Sequence, residues 1–225
     1  MKRANRIYNK NCLEGMKSIS NNSIDLIITD PPFAIDFKSK KANYNRTAHR
    51  VLDGYKEIPK NEYYDFTRNW IKGSFRILKN TGSMYVFSGW NNLKDILNAL
   101  DEIGFTTTNH IIWKYQFGVV TRKKFVTSHY HCLFVCKDEK TPTKLPAELI
   151  KKMLSYSSEE GDIVFDPFLG SGQVAIVSKM MKRKFLGFEI VKEYFEFASQ
   201  RLKTDTYRLK SLKEIENKIS VNKWA

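Results

Sequence analysis

Two short stretches of this 225-residue chain combine residue types that can act on a ligand rather than only fold. The first is Asp30-Pro31-Pro32-Phe33, directly after the apolar run Ile-Asp-Leu-Ile-Ile-Thr. Two consecutive prolines fix the backbone and remove two N–H donors, leaving a carboxylate and carbonyl oxygens as acceptors beside an aromatic plane. Such a site is acceptor-rich and flat. It suits a planar group bearing an amino substituent, whose hydrogens go to the Asp30 side chain and the Pro31 carbonyl while Phe33 stacks on the ring. A rigid turn ending a strand would explain the prolines, but not the acid and the aromatic together.

The second stretch is Asp166-Pro167-Phe168-Leu169-Gly170-Ser171-Gly172, between an apolar strand pattern and a helical one. Glycines at such a junction let the backbone turn sharply and approach a ligand, and the amides at a helix start favour an anionic group. The strand that follows ends at Glu189, twenty-three residues beyond Asp166. Dinucleotide-type folds place a ribose-binding acid at about this distance. A nucleoside pocket is the expectation, against the plainer reading of an ordinary strand-loop-helix turn with a surface glutamate.

The elements that must hold these residues are legible as short apolar runs: 23–29, 83–87, 110–113, 131–135, 162–165 and 185–188. Helical patterns lie between them at 64–78, 93–103, 146–154 and 173–181, and an amphipathic stretch, 192–219, follows. This alternation predicts an α/β fold, a mostly parallel twisted sheet with helices on both faces. In such sheets ligands bind at the carboxyl ends of strands, so both stretches belong to one edge of the domain.

Composition narrows the partner. The 26.3 kDa chain has the length of one full-sized domain. Its 42% hydrophobic and 13% aromatic content is ample for a core and excludes a disordered or collagen-like chain. Lys and Arg exceed Asp and Glu by 38 to 24, and the resulting net charge of +14 favours a polyanion, either nucleic acid or an anionic membrane surface. Residues 36–50, 114–124 and 201–225 each carry a surplus of four positive charges, so twelve of the fourteen lie in these 51 residues. The first two segments also hold Tyr44, Tyr115 and Phe117, a mixture of cations and rings that suits phosphate contact and base stacking. The sequence shows neither the apolar run of a membrane span nor the apolar core of a signal peptide. Cys12, Cys132 and Cys136 form no Cys-x-x-Cys motif and read as buried thiols, with no metal site expected and a cytoplasmic location.

Taken together, Asp-Pro-Pro-Phe after an apolar strand, followed more than a hundred residues later by Asp-Pro-Phe-x-Gly-x-Gly and a Glu-ended strand, resembles the S-adenosylmethionine-dependent amino-DNA methyltransferases. The order, base motif first and cofactor motif second, is similar to that of their β group. The resemblance spans about residues 5–202 and includes 7–19, Ser88-Gly89-Trp90, 111–115 and the segment 140–153. It implies a Rossmann-like methyltransferase fold with circularly permuted motif order. One catalytic domain, 1–202, would carry a basic loop, 37–62, and be followed by a basic helical extension, 203–225.

The resemblance implies S-adenosyl-L-methionine as cofactor, with Asp166, Pro167, Phe168, Gly170, Ser171 and Gly172 around its methionine part and Glu189 on its ribose. Asn11 and Cys12 would lie near its adenine, Thr143 on the cofactor side, and Asp30 between cofactor and substrate. Asn11 replaces the family's usual acid, Lys144-Leu145 its usual Gln-Lys, and Phe33 its commoner tyrosine. Asp30, Pro31, Pro32 and Phe33 would act on the exocyclic amine of a flipped base without a metal or covalent intermediate. In the family, Asp at the first position accompanies adenine-N6 more often and Ser cytosine-N4, so adenine is the expectation and cytosine-N4 the alternative.

DNA is the implied partner, in a restriction-modification setting. Only the stretch 137–144 stands where the family keeps its recognition region, which is too short to read a base sequence. Reading then falls to the basic loop with Lys38, Lys40, Lys41, Tyr44, Arg46 and Arg50, to Arg122, Lys123 and Lys124, or to the extension. A homodimer or a separate specificity subunit is the other route. Methyltransferases of RNA bases or of protein glutamine place the cofactor motif first, which counts against them. A DNA-binding subunit that retains the fold without catalysis is the rival of a different class.

Overall fold

The computed structural model describes residues 4–32, 58–114, 128–137 and 149–204. Its centre is the strand β2 (Ile24–Thr29), where alternate side chains serve two layers. Leu26 and Ile28 pack towards one face and Ile27 towards the other, all at 1% exposure or less. Each such side chain contributes on the order of 1.5–3 kcal/mol when fully buried. A strand buried on both faces reads as a continuous apolar run, which is why this segment is so plain in the sequence.

Around it lie β1 (Arg6–Asn9), β3 (Leu78–Ser88), β4 (Thr106–Lys114), β5 (His129–Cys136), β6 (Ile163–Asp166) and β7 (Lys184–Glu189). The seven strands are ordered β1-β7-β6-β2-β3-β5-β4. All neighbouring pairs are parallel except those made by β5, which runs against β3 and β4. The expected mostly parallel sheet is what forms. The strand patterns match to within a residue or two except at β3 and β4, which extend beyond their apolar cores. As the edge strand β4 is largely exposed, so polar Thr106 to Asn109 carry no burial alternation to read.

Helices α1 (Cys12–Met16), α2 (Tyr63–Ile77) and α3 (Leu93–Ile103) cover one face; α4 (Leu149–Ser157) and α5 (Gln173–Met180) cover the other. Helix α6 (Lys192–Thr204) packs with α5 over β7. On α2 the buried residues Tyr63, Thr67, Trp70, Ile71, Ser74 and Ile77 form a stripe at helical spacing. Helix α3 stops at Gly104, whose φ of +95° lets its amide return to the carbonyls of Leu100 and Asp101. Helix α6 crosses the expected boundary at 202, and the rest of the expected extension, 205–225, lies outside the described residues.

Register places the site. At the start of β2, Asp25 Oδ2 accepts the Ile163 amide of β6 at 2.8 Å, and its Oδ1 pairs with Lys79 of β3. Leu26 then faces Val164 and Ile27 faces Phe165, so Asp166 ends β6 beside Ile28 and Asp30 emerges two residues further on. All three cysteines are buried free thiols, as the sequence implied. Among the described residues, no helix is long and apolar enough to cross a membrane.

Candidate active site

The carboxyl ends of β1, β7, β6 and β2 adjoin, and Asn11, Glu189, Asp166 and Asp30 follow or close those strands. Two cavities open there. The larger, about 770 Å³, is lined by Asn11, Cys12, Asp30, Pro31, Pro32, Phe66, Pro167, Phe168, Gly170, Phe188, Glu189, Ile190 and Val191, among others. The smaller, about 460 Å³, is lined by Thr29, Asp30, Phe87, Trp113, Lys151, Asp166, Phe168, Gly170, Ser171 and Gln173, among others. They share Asp30, Phe168 and Gly170. The two stretches singled out in the sequence, 136 residues apart from Asp30 to Asp166, therefore meet at one place.

Glu189 is fixed by the backbone. Its Oε2 accepts the Gly170 amide and its Oε1 the Val191 amide, each at 2.8 Å. Partial burial raises its pKa, while these amides oppose the rise. Asn11 caps α1, its Oδ1 accepting the Leu13 amide at 2.8 Å, and so reaches the larger cavity from a fixed position. Neighbouring Cys12 is buried, which pushes its thiol up to about 12, so it acts there as a small apolar wall.

The central acids carry the strongest electrostatic signature. Asp166 is buried and its Oδ1 accepts the Phe168 amide at 3.1 Å. Burial pushes its carboxyl up to about 8, with further upward pressure from Asp30 and Glu189. The nearby Thr29 hydroxyl, buried and without a hydrogen-bond partner among the described residues, opposes the rise. Asp30 is open to solvent within the pocket but ringed by protein elsewhere, and this enclosure pushes its carboxyl up to about 6. Acids held together in this way welcome a cation and a hydrogen-bond donor.

The two glycines do different work. Gly170 has φ +51°, and a Cβ there would meet nothing closer than 3.9 Å, so its bare backbone faces open space. Gly172 has φ +79°, lines neither cavity, and a Cβ there would come within 2.8 Å of Ala198 Cβ on α6. Gly172 thus permits close packing of the start of α5 on α6. The turn's amides are also partly spoken for, Leu169 N by Phe188 O and Gly172 N by Leu169 O.

Several contributors were missed in the sequence. Phe168 is propped by Phe66 and by Trp70, whose ring centroids lie 5.8 and 5.6 Å away. The segment 64–78 was read only as a helical pattern. Trp113 of β4 borders the smaller cavity edge-on to Phe87, and the aromatic end of its strand pattern was the available signal. Arg201, counted with the basic segment 201–225, is instead completely buried. It donates to the Ser171 carbonyl at 2.6 Å and to Gln173 Oε1 at 2.7 Å. A charged residue one helical turn from other polar positions gives no sequence sign of this. Phe33, Thr143 and the predicted DNA contacts Lys38, Lys40, Lys41, Tyr44, Arg46, Arg50, Arg122, Lys123 and Lys124 lie outside the described residues.

Comparison with known proteins agrees with this arrangement. A family profile for N6/N4 methyltransferases, described as DNA methylase, matches residues 24–142 and 137–200. The type II methyltransferase M.HpaI of Haemophilus parainfluenzae is 28% identical over 257 aligned residues, covering 93% of this chain and 77% of that protein. The crystal structure of the M1.HpyAVI–SAM complex superposes with a TM-score of 0.65 at 24% identity, covering 88% of this chain and 98% of that one. PvuII DNA methyltransferase, cytosine-N4-specific, superposes with a TM-score of 0.70 at 18% identity, covering 96% and 91%. The structural likenesses establish the methyltransferase fold, and the profile, which spans most of the sequence, establishes that this chain belongs to the N6/N4 family of DNA methylases.

Proposed function

We propose that this protein transfers a methyl group from S-adenosyl-L-methionine to the N6 amine of an adenine extruded from DNA. The observation that carries the reading is the meeting of both cavities at Asp30. That residue can face a bound cofactor on one side and a bound base on the other. The residues present fit the cofactor. Glu189 offers carboxylate oxygens to ribose hydroxyls, and Phe188, Ile190 and Val191 offer apolar walls to the ring. Asn11 and Cys12 border the same space, and Gly170 leaves room that any side chain would fill. Asp166, Pro167, Phe168 and Ser171 line the way to the amino-acid end, and Thr143 is carried over from the family likeness.

When bound, S-adenosyl-L-methionine supplies an electrophilic methyl on a sulfonium centre. The chain's own residues prepare the nucleophile. An exocyclic amine shares its lone pair with the base ring. Acceptor bonds to the Asp30 carboxylate and the Pro31 carbonyl draw the nitrogen towards a tetrahedral geometry in which that pair is available. Pro31 and Pro32 hold these acceptors still, and Phe33 replaces the stacking lost when the base leaves the duplex.

DNA is held, in this reading, by Lys38, Lys40, Lys41, Tyr44, Arg46 and Arg50 and by Arg122, Lys123 and Lys124. Sequence reading comes from these segments in a homodimer or from a separate specificity subunit. Adenine is favoured because Asp30 opens the tetrapeptide, the family's commoner arrangement for that base. Incubation with labelled cofactor and DNA, followed by nucleoside analysis, tests the proposal. N6-methyladenine is the expected product, N4-methylcytosine would reassign the base, and no transfer despite cofactor binding would leave the non-catalytic subunit.

A further inference from the structure

The glycine turn is held from behind by a buried cation. Arg201 of α6 reaches under α5, its Nη1 donating to Ser171 O and its Nη2 to Gln173 Oε1, with Phe197 beneath the guanidinium at 5.8 Å. Burial lowers its pKa to about 10, so it remains charged at neutral pH.

A guanidinium has only donors. The Gln173 atom turned towards it is therefore the carbonyl oxygen, and both hydrogens of the amide nitrogen are left for another partner. Gln173 also lines the smaller cavity, beside Ser171. An amide can accept from Arg201 with one end and donate to the cavity with the other, whereas a glutamate would present only acceptors and a threonine would be too short to bridge. The same lining holds Lys151 of α4 and the acids Asp30 and Asp166. Donors and acids in one small cavity are what an amino-acid zwitterion requires.

We infer that Gln173 donates a hydrogen bond to the carboxylate at the amino-acid end of the cofactor, with Arg201 as the positioning residue that fixes its amide. The inference rests on the reading that S-adenosyl-L-methionine lies in the larger cavity and passes Phe168 and Gly170 into the Ser171–Gln173 end of the smaller one, leaving the Asp30 side of the latter to the base. It concerns binding, and no step of methyl transfer depends on it.

Calorimetric titration with S-adenosylhomocysteine and with its decarboxylated analogue, which keeps the nucleoside and the amine, tests it. Gln173→Glu retains the acceptor for Arg201, so the fold survives, but turns an acceptor on the ligand. It should weaken S-adenosylhomocysteine about tenfold or more, as expected for a lost bond to a charged group, and leave the decarboxylated analogue within about twofold. Arg201→Lys, checked for folding by thermal melting, should show the same selective loss at smaller size. Equal weakening of both ligands, or none for S-adenosylhomocysteine, would overturn the role of Gln173. Failure of the unaltered protein to bind either ligand would overturn the cofactor reading and this inference with it.

Discussion

Glu189 Oε2 accepts the Gly170 amide at 2.8 Å, so the acid that ends β7 holds the glycine turn that follows β6. One carboxylate thereby serves both the ligand cavity and the shape of its rim. Glu189→Ala would leave the Gly170 and Val191 amides without their acceptor, at a cost of about 1–3 kcal/mol. Thermal unfolding should drop by several degrees and cofactor affinity by about tenfold or more. Unchanged affinity in a titration would remove Glu189 from the nucleoside site.

Asp30 should separate chemistry from binding. Asp30→Ala removes the acceptor for the amine while leaving Glu189 and the larger cavity's apolar wall intact, so methylation of DNA should fall by about a hundredfold to a thousandfold, the size of effect typical for a key electrostatic group. Cofactor binding should change little. Near-normal methylation by the variant would defeat the assignment. Because the Asp30 carboxyl stands near 6 and its ionised form is the stronger acceptor for the amine hydrogen, the rate should rise with pH through that region.

The acids with raised pKa values also predict an unusual pH dependence of stability. Asp166 titrates at about 8 in the folded protein against an ordinary 3.8, so the folded state keeps a proton that the unfolded chain releases. Its stabilising contribution is complete below about pH 4 and is lost as pH rises through 8, and Asp30 acts in the same direction up to about 6. The ligand-free protein should therefore melt at a lower temperature at pH 8.5 than at pH 5.5. Asp166→Asn, which keeps the acceptor for Phe168 N, should flatten that difference. A melting profile of Asp166→Asn parallel to the unaltered protein would refute the account.

Alanine at the two glycines should have opposite readouts. Gly172→Ala combines left-handed backbone strain with a contact on Ala198 that must shift, for about 2 kcal/mol or more of lost stability. Adding Ala198→Gly should recover part of it. Gly170→Ala meets no neighbour and pays only the backbone strain, but its methyl enters space at the junction of both cavities, so ligand binding should suffer more than folding. Melting curves and titrations on the same samples would show whether the two effects separate.

The basic segment 36–50 gives a salt test. Replacing Lys38, Lys40, Lys41, Arg46 and Arg50 with neutral residues should weaken DNA binding and flatten its dependence on salt, by about 0.9 in the logarithmic slope for each phosphate contact removed. An unchanged slope would place the DNA contacts elsewhere.

Residue type and spacing carried much of the site. Asp30, Pro31 and Pro32 stood at a strand end, and Asp166, Gly170 and Glu189 followed a strand-turn-helix-strand pattern that could be recognised locally. These features are legible because turns, caps and buried strands impose their demands over a few neighbouring residues. Thr106 to Asn109 were missed as strand for the same reason, since an exposed edge imposes no burial pattern.

The sequence by itself therefore determined the chemistry available, acceptors at one strand end and a glycine turn with a following acid at another, together with the α/β alternation that sends them to one edge. Only the tertiary structure decided how those groups are used. Strand order set β6 between β2 and β7, which brought Asp30, Asp166 and Glu189 together and raised their pKa values through the protein packed around them. Packing of α6 on α5 turned Gly172 into a contact and Arg201 from a surface charge into a buried clamp on Gln173. Burial, crowding and the direction of a side chain depend on neighbours distant in sequence, and no local pattern records them.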